Sequence, residues 1–259
     1  MEVQAHTHTA RKKWIHYFWE FLMLFLAVFC GFLAENQREH YIEHQREKQY
    51  MITMLDDLRT DTIQLSYAIH YWAGINNSID SVAEALIFPL SLADFSKAYR
   101  HLNNALNYYS FAYNDRTIAQ LKNAGGFRLI RKKNVASKII AYDQFNNDAI
   151  RNIANQYNKF YENVVVLRNK VFVQYIINKI FNQYGFVAPP ASANTWIDSL
   201  ILKNKSPFAN EIQTALVFEF KNALLAFRRD FTNMEWGYTN LLKLEHELIK
   251  LIEEEYHLK

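Results

Sequence analysis

Apolar positions follow three different rhythms along the chain. The first is a continuous run: from Phe21 to Ala34, fourteen residues carry no charge and no strongly polar group. Adding Trp14 to Glu20 gives a 21-residue segment, about 31 Å long as a helix at 1.5 Å per residue. Trp14, Tyr17 and Trp19 suit an interfacial aromatic belt. The pattern predicts a transmembrane helix over 14–34. A secretory leader has a core of similar length, but the small-x-small cleavage pattern fails, because Phe32 stands two before Ala34 and Phe29 two before Gly31. The segment is therefore expected to be an uncleaved signal anchor, with a buried helix of a soluble protein as the alternative.

The second rhythm is a heptad-like seam. Met51, Leu55, Leu58, Leu65, Ile69 and Trp72 follow alternating steps of four and three, with Thr62 in the missing position. Run backward, the same register passes through Lys48, His44, Tyr41, Gln37, Ala34, Cys30, Ala27, Met23 and Glu20. One stalk helix over 35–73 is expected to continue from the anchor, with a neck at Glu35–Gln49 that is polar on every side. Gly74 is expected to end it, with Asn76, Asn77 and Ser78 as caps for the next helix.

The third rhythm is a series of shorter helical patterns broken by turn residues. Ile79, Val82, Ala83 and Leu86 mark a short helix stopped near Pro89. Ser91 caps another, carrying Leu92, Phe95, Tyr99, Leu102, Leu106 and Tyr109 on one side. Asn114 or Asp115 begins a helix through Ile118 and Leu121 that ends at Gly125-Gly126. Asn134 opens a long pattern that runs to Tyr184 and Gly185, Val164-Val165-Val166 included. After the loop "GFVAPPASANT" comes a short helix around Trp196–Leu202. Ser206-Pro207 is expected to start the last helix. Its seam is Phe220, Leu224, Phe227, Phe231, Met234, Tyr238, Leu241, Leu248 and Ile252, interrupted by Glu245. This helix is expected to return along the stalk and bring Glu245, Glu247, Glu253, Glu254 and Glu255 near Arg38, Arg46 and Lys48. The expected fold class is all-α, with an N-terminal transmembrane helix continuing into a long stalk and an elongated antiparallel helical bundle. The expected divisions are a tail over 1–13, the anchor over 14–34, the stalk over 35–73 and the bundle over 74–259.

Composition agrees with long helices. Only 6 Gly and 4 Pro occur in 259 residues, whereas Phe (19) and Tyr (16) are plentiful. A net charge of +3 gives no electrostatic case for nucleic acid. The single cysteine, Cys30, excludes an intramolecular disulfide. Arg11, Lys12 and Lys13 abut one end of the anchor, whereas Arg38 stands among Glu35, Glu39 and Glu43 at the other. The positive-inside bias places the N-terminus in the cytoplasm and the larger part outside it.

Glu20 is the ionisable residue of the anchor. It shares a stripe with Leu24, Ala27, Gly31 and Ala34, and small residues let helices approach closely in lipid. Its shallow position favours a carboxylate reaching toward headgroups or pairing with Lys or His16. Packing in an oligomer and proton or ion conduction are the sharper alternatives.

Other chemistry-bearing motifs have bland explanations. "HYIEH" gives His40, Glu43 and His44 the H-x-x-E-H order of a zinc site, but it lies in a polar neck without a visible third ligand, so a solvated helix face is expected. "HTH" at 6–8 is expected to be tail. The basic run containing Arg128, Arg131, Lys132 and Lys133 is expected to cap a helix end, with an anionic partner as alternative. Asp56, Asp57 and Asp61 in "LDDLRTDT" are expected on a solvated face. No nucleophile triad, phosphate loop or dinucleotide fingerprint occurs, and neither a catalytic residue nor a cofactor is expected.

Two segments carry a resemblance. "WEFLMLFLAVFCGFLAENQREHYIEHQREKQYMITMLDDLRTDT" (19–62) combines the anchor with a segment close to L-x-x-D-L-x-x-D, here L-D-D-L-R-T-D over Leu55–Asp61. "TIAQLKNAGGFRLIRKKNVASKIIAYDQF" (117–145) combines Leu121, Ala124, Gly125, Arg128, Leu129 and Ile130. Both resemble a large family of single-pass membrane proteins from Bacteroidetes-type bacteria, known as a domain of unknown function. Gly126 departs from the pattern, standing where a polar residue is more usual. The resemblance implies a bacterial inner-membrane protein with an exported, periplasmic helical domain, and implies no reaction. The expected role is a non-enzymatic envelope protein that contacts lipid and assembles with itself or with another membrane protein. A ligand-sensing bundle signalling through a partner, or an ion-coupled motor or transport accessory subunit using Glu20, are the alternatives.

Overall fold

The computed structural model describes residues 14–208 and 214–258. The expected tail over 1–13, with its HTH motif and Arg11–Lys13, lies outside the described residues. The fold is all-α: α1 (Trp14–Ala85), α2 (Leu92–Ala105), α3 (Arg116–Asn123), α4 (Lys133–Val171), α5 (Gln174–Tyr184), α6 (Asn194–Lys203) and α7 (Thr214–Tyr256), with 3₁₀ turns at Gly126–Leu129 and Ala191–Ala193. Among the described residues the only β pairing is an isolated bridge between Phe172 and Phe208. The chain forms two compact units, residues up to Tyr50 and residues from Met51.

In the first unit α1 carries the one stretch of the described residues that is long and apolar enough to cross a membrane, and none of that stretch is buried. Phe21, Leu24, Phe25, Val28 and Phe32 all stand exposed.

In the second unit three long helices form a bundle. Contacts between α1 and α7 run in opposite directions: Arg59 pairs with Glu253 at 2.8 Å, Trp72 meets Phe231 at 4.6 Å between ring centres, and Arg228 Nε reaches Asp80 at 2.8 Å. α4 is likewise antiparallel to α7, through Lys138–Glu247 (2.5 Å) at one end and Tyr157–Phe227 (6.0 Å) toward the other. Every seam position expected on α7, from Phe220 to Ile252, is buried. α2, α5 and α6 form a second cluster. Ser96 of α2 donates to Asp198 of α6, Asn103 to the Ile177 carbonyl of α5 at 3.4 Å, and Asn104 ties α2 back to the Gly74 carbonyl at 3.2 Å.

The structure corrects four boundaries. α1 does not end at Gly74 but runs to Ala85. A glycine inside a helix costs about 1 kcal/mol, whereas burying a large apolar side chain gains roughly 1.5–3 kcal/mol. Trp72, Ile75, Ile79 and Val82, all fully buried, outweigh it. Asn76 and Ser78 are not caps: Asn76 donates to Glu235 at 2.9 Å and Ser78 accepts from Asn104 at 2.7 Å. The long pattern to Tyr184 breaks at Phe172 and Val173, both extended, with Phe172 packed between Tyr99 and Phe220. Pro207 lies in a bend beside the bridging Phe208, and α7 is helical from Thr214. The other breaks fall where the turn residues stand. Ser91 and Asp94 form a capping box on α2, and Gly125 and Gly185 adopt φ of +62° and +63°.

The acidic end of α7 pairs with bases inside the bundle. Glu253 pairs with Arg59, Glu255 with Lys132 at 2.9 Å and Glu247 with Lys138; in the first unit Arg38 pairs with Glu35 of its own helix at 2.5 Å.

Candidate functional site: a buried acid–tyrosine layer

Asp57 and Asp61 lie one turn apart on α1, and the expectation of a solvated face fails for both, which are 2% and 1% exposed. Asp115, at the N-cap of α3, makes no side-chain cap bond. Asp57 supplies the missing acceptor from another helix. It accepts from Thr117 N at 3.0 Å, Thr117 Oγ1 at 2.5 Å, Asn114 Nδ2 at 3.0 Å and Arg116 at 2.5 Å. A carboxylate there satisfies a free N–H of the first turn and faces the positive end of the helix dipole.

Asp61 accepts from the Asn114 N–H, 3.2 Å from each carboxylate oxygen. Tyr142 Oη of α4 lies 3.3 Å from Asp61 Oδ2 and 3.1 Å from Glu245 Oε1 of α7. Glu245, which interrupts the apolar seam in sequence, is fully buried. Three helices thus contribute side chains to one buried polar layer. Burial pushes the Glu245 carboxyl up to about 8, and the Asp61 charge adds to this while the Tyr142 bond opposes it. Burial likewise raises Asp61 to about 7, with Asp57 adding and Asn114 and Tyr142 opposing. Burial and the two neighbouring carboxyls push the Tyr142 phenol well above its ordinary value. Beside the layer, Tyr113 donates to Asp143 at 3.3 Å and Lys122 pairs with Asp143 at 2.6 Å. Asp61 and Glu245 are sealed from solvent, so a proton can reside there but a substrate has no approach in this conformation.

This layer is only half legible in sequence. Met54, Asp57, Asp61, Ala68 and Ile75 form a second buried stripe beside the heptad seam of α1. α1 packs against more than one neighbour, and that second stripe turns inward with its two acids.

The residues singled out in sequence do not converge on one place. Glu20 is half exposed and 3.1 Å from His16, and nothing lies within 4 Å of the position a Cβ on Gly31 would take. Ala27 and Ala34 are exposed with them. His40 faces Glu43 at 3.8 Å and His44 faces Glu47 at 3.5 Å. Among the described residues, no three His, Cys, Asp or Glu side chains are placed to hold a metal ion. In the basic loop Arg128 is exposed on the 3₁₀ turn and Arg131 is exposed beyond it. Lys132 pairs with Glu255, and Lys133 begins α4. The end of α3 is closed by backbone, Ala124 N donating to Gln120 O at 2.9 Å.

The chain matches no protein-family model, and comparisons with curated proteins and with solved structures likewise gave no match.

Proposed function

We propose that this is a membrane-anchored helical interaction protein of the bacterial cell envelope, without enzymatic activity. It is held by α1 residues 14–34, with the N-terminus cytoplasmic and the bundle periplasmic. The observation that carries the reading is the contrast in burial. The apolar stretch of α1 has no burial at all, whereas the bundle from Met51 encloses its own seams. An apolar helix left bare in water is unfavourable and in lipid is not. Asp57, Asp61, Tyr142 and Glu245 are bonded to neighbouring groups inside the bundle and buried away from solvent, which favours assembly over catalysis. The resemblance of 19–62 and 117–145 to single-pass membrane proteins supports the same placement, and the partner is a second copy or another membrane protein.

Alkaline carbonate extraction of membranes tests the anchor. The full chain is expected to stay in the pellet and a variant lacking 14–34 to leave it; release of the full chain would sink the proposal. Mass measurement in detergent then gives copy number. Glu20→Gln is expected to leave both membrane residence and copy number unchanged, since Glu20 has His16 as a local partner. A lost oligomer in that variant would move Glu20 into the packing interface.

A further inference from the structure

The Asp61–Tyr142–Glu245 layer has fewer protons than its geometry requires if both acids are ionised. A phenol carries one proton, yet Tyr142 Oη is within bonding reach of a carboxylate oxygen on each side. Among the described residues no Lys, Arg or His pairs with Asp61 or Glu245. The nearby bases are engaged elsewhere, Arg116 with Asp57, Lys122 with Asp143 and Lys138 with Glu247. Thr62 Oγ1 stands near enough to Glu245 to oppose the rise of its carboxyl, but its single proton is directed to the Leu58 carbonyl of its own helix at 2.9 Å. Glu245 Oε2 is buried and accepts no hydrogen bond. Two buried anions with one phenol proton between them, and only the Asn114 N–H besides on Asp61, is an arrangement a protein interior does not sustain.

We propose that the layer is a proton-binding site: Glu245 is held as a neutral carboxylic acid that donates to Tyr142 Oη, and Tyr142 donates onward to an ionised Asp61. Every polar contact fits this assignment. Asp61 has the Asn114 N–H and so is the better-solvated anion, whereas the bare Glu245 Oε2 becomes a neutral carbonyl oxygen, which costs far less to leave unpaired. The charged and titratable groups facing the layer are Asp57 from α1 and Tyr113 from the segment before α3, with Asp143 of α4 and Asp115 reaching it through Tyr113. Removing the proton places two negative charges on one buried layer between α1, α4 and α7. The upward displacement of both acids agrees with this picture.

A folded-state pKa raised above the unfolded value makes stability fall as pH rises between the two. The Glu245 contribution is therefore present below about pH 4.5 and is lost by about pH 8. One such proton changes the unfolding equilibrium about tenfold per pH unit across that window.

The test uses the full chain in detergent. Infrared difference spectra at pH 7 are expected to show a protonated-carboxyl band that disappears near pH 8 and is absent from Glu245→Gln. The thermal midpoint of the parent should fall from pH 5 to 8, and Glu245→Gln should lose about one proton's worth of that slope. Should Glu245→Gln not fold, Asp61→Asn serves: without the neighbouring charge the band is still present in acid but disappears at lower pH than in the parent, and a band that disappears at the parent's pH or above it overturns the proposal. Absence of the band from the parent at pH 7 overturns the proposal. So does stabilisation of the parent, but not of Glu245→Gln, by sodium, potassium or calcium at fixed ionic strength, which would make the layer a cation site.

Discussion

Asp57 shows how one side chain can organise a neighbouring helix. Its carboxylate receives the Thr117 N–H, the Thr117 hydroxyl, the Asn114 amide and the Arg116 guanidinium. Arg116 is largely exposed, so its share is the smallest despite the short contact. The backbone N–H and the buried hydroxyl dominate, because without Asp57 they have no acceptor. Asp57→Ala is expected to cost about 2–4 kcal/mol, from the lost cap and the stranded donors. Chemical denaturation measures the total, and hydrogen exchange should show protection lost first in α3. An unchanged midpoint would mean that α3 finds its cap elsewhere. Sequence exposed the pairing of Asp57 and Asp61 at one-turn spacing but not their burial. Charged residues beside a seam read as its solvated edge until a further helix is known to cover them. Glu245 was visible as an interruption of the α7 seam, and its environment depends on Tyr142, a residue about a hundred positions away.

At the scale of elements, local signals located most helix ends and missed those set by tertiary contacts. Ser91, Gly125 and Gly185 carry their own chemistry, a side-chain cap or a positive φ, and the chain turns at each. The break between α4 and α5 has no glycine or proline. It exists because Tyr99 holds it open: Tyr99 Oη accepts the Val173 N–H at 2.8 Å and donates to the Pro207 carbonyl at 2.6 Å. The same hydroxyl therefore fixes both the break and the segment before α7. Tyr99→Phe keeps the ring contacts with Phe172 but leaves a part-buried N–H and carbonyl unpaired, an expected loss of about 2–3 kcal/mol. Faster amide exchange at Val173, with the α1–α7 contacts unaffected, would place the damage at the break; a midpoint equal to that of the parent would show that the hydroxyl bridge adds nothing. Gly74 fails as a stop signal for the complementary reason, since the apolar residues after it fit the same interior as those before it.

For the whole molecule, the balance of burial decides which part can stand alone. The Leu, Phe and Val residues between Phe21 and Leu33 together favour insertion into a bilayer by roughly 4 kcal/mol on a translocon scale, and Glu20 near the end of the run opposes this by less than the ~3 kcal/mol of a central acid. Within the bundle, the buried apolar residues of α1 begin at Met51 and Met54. A chain beginning at Met51 keeps both buried stripes of α1, the cap that Asp57 provides, the acid–tyrosine layer and the complete α7 seam. It is therefore expected to be soluble without detergent, helical by circular dichroism, and to melt in one cooperative step with a midpoint within a few degrees of the full chain's, a shift of about 1 kcal/mol or less. A molten, aggregating fragment would show that residues before Met51 are needed to complete the fold. A folded one would separate the two physical roles in this chain, with lipid affinity residing before Tyr50 and folding free energy after it.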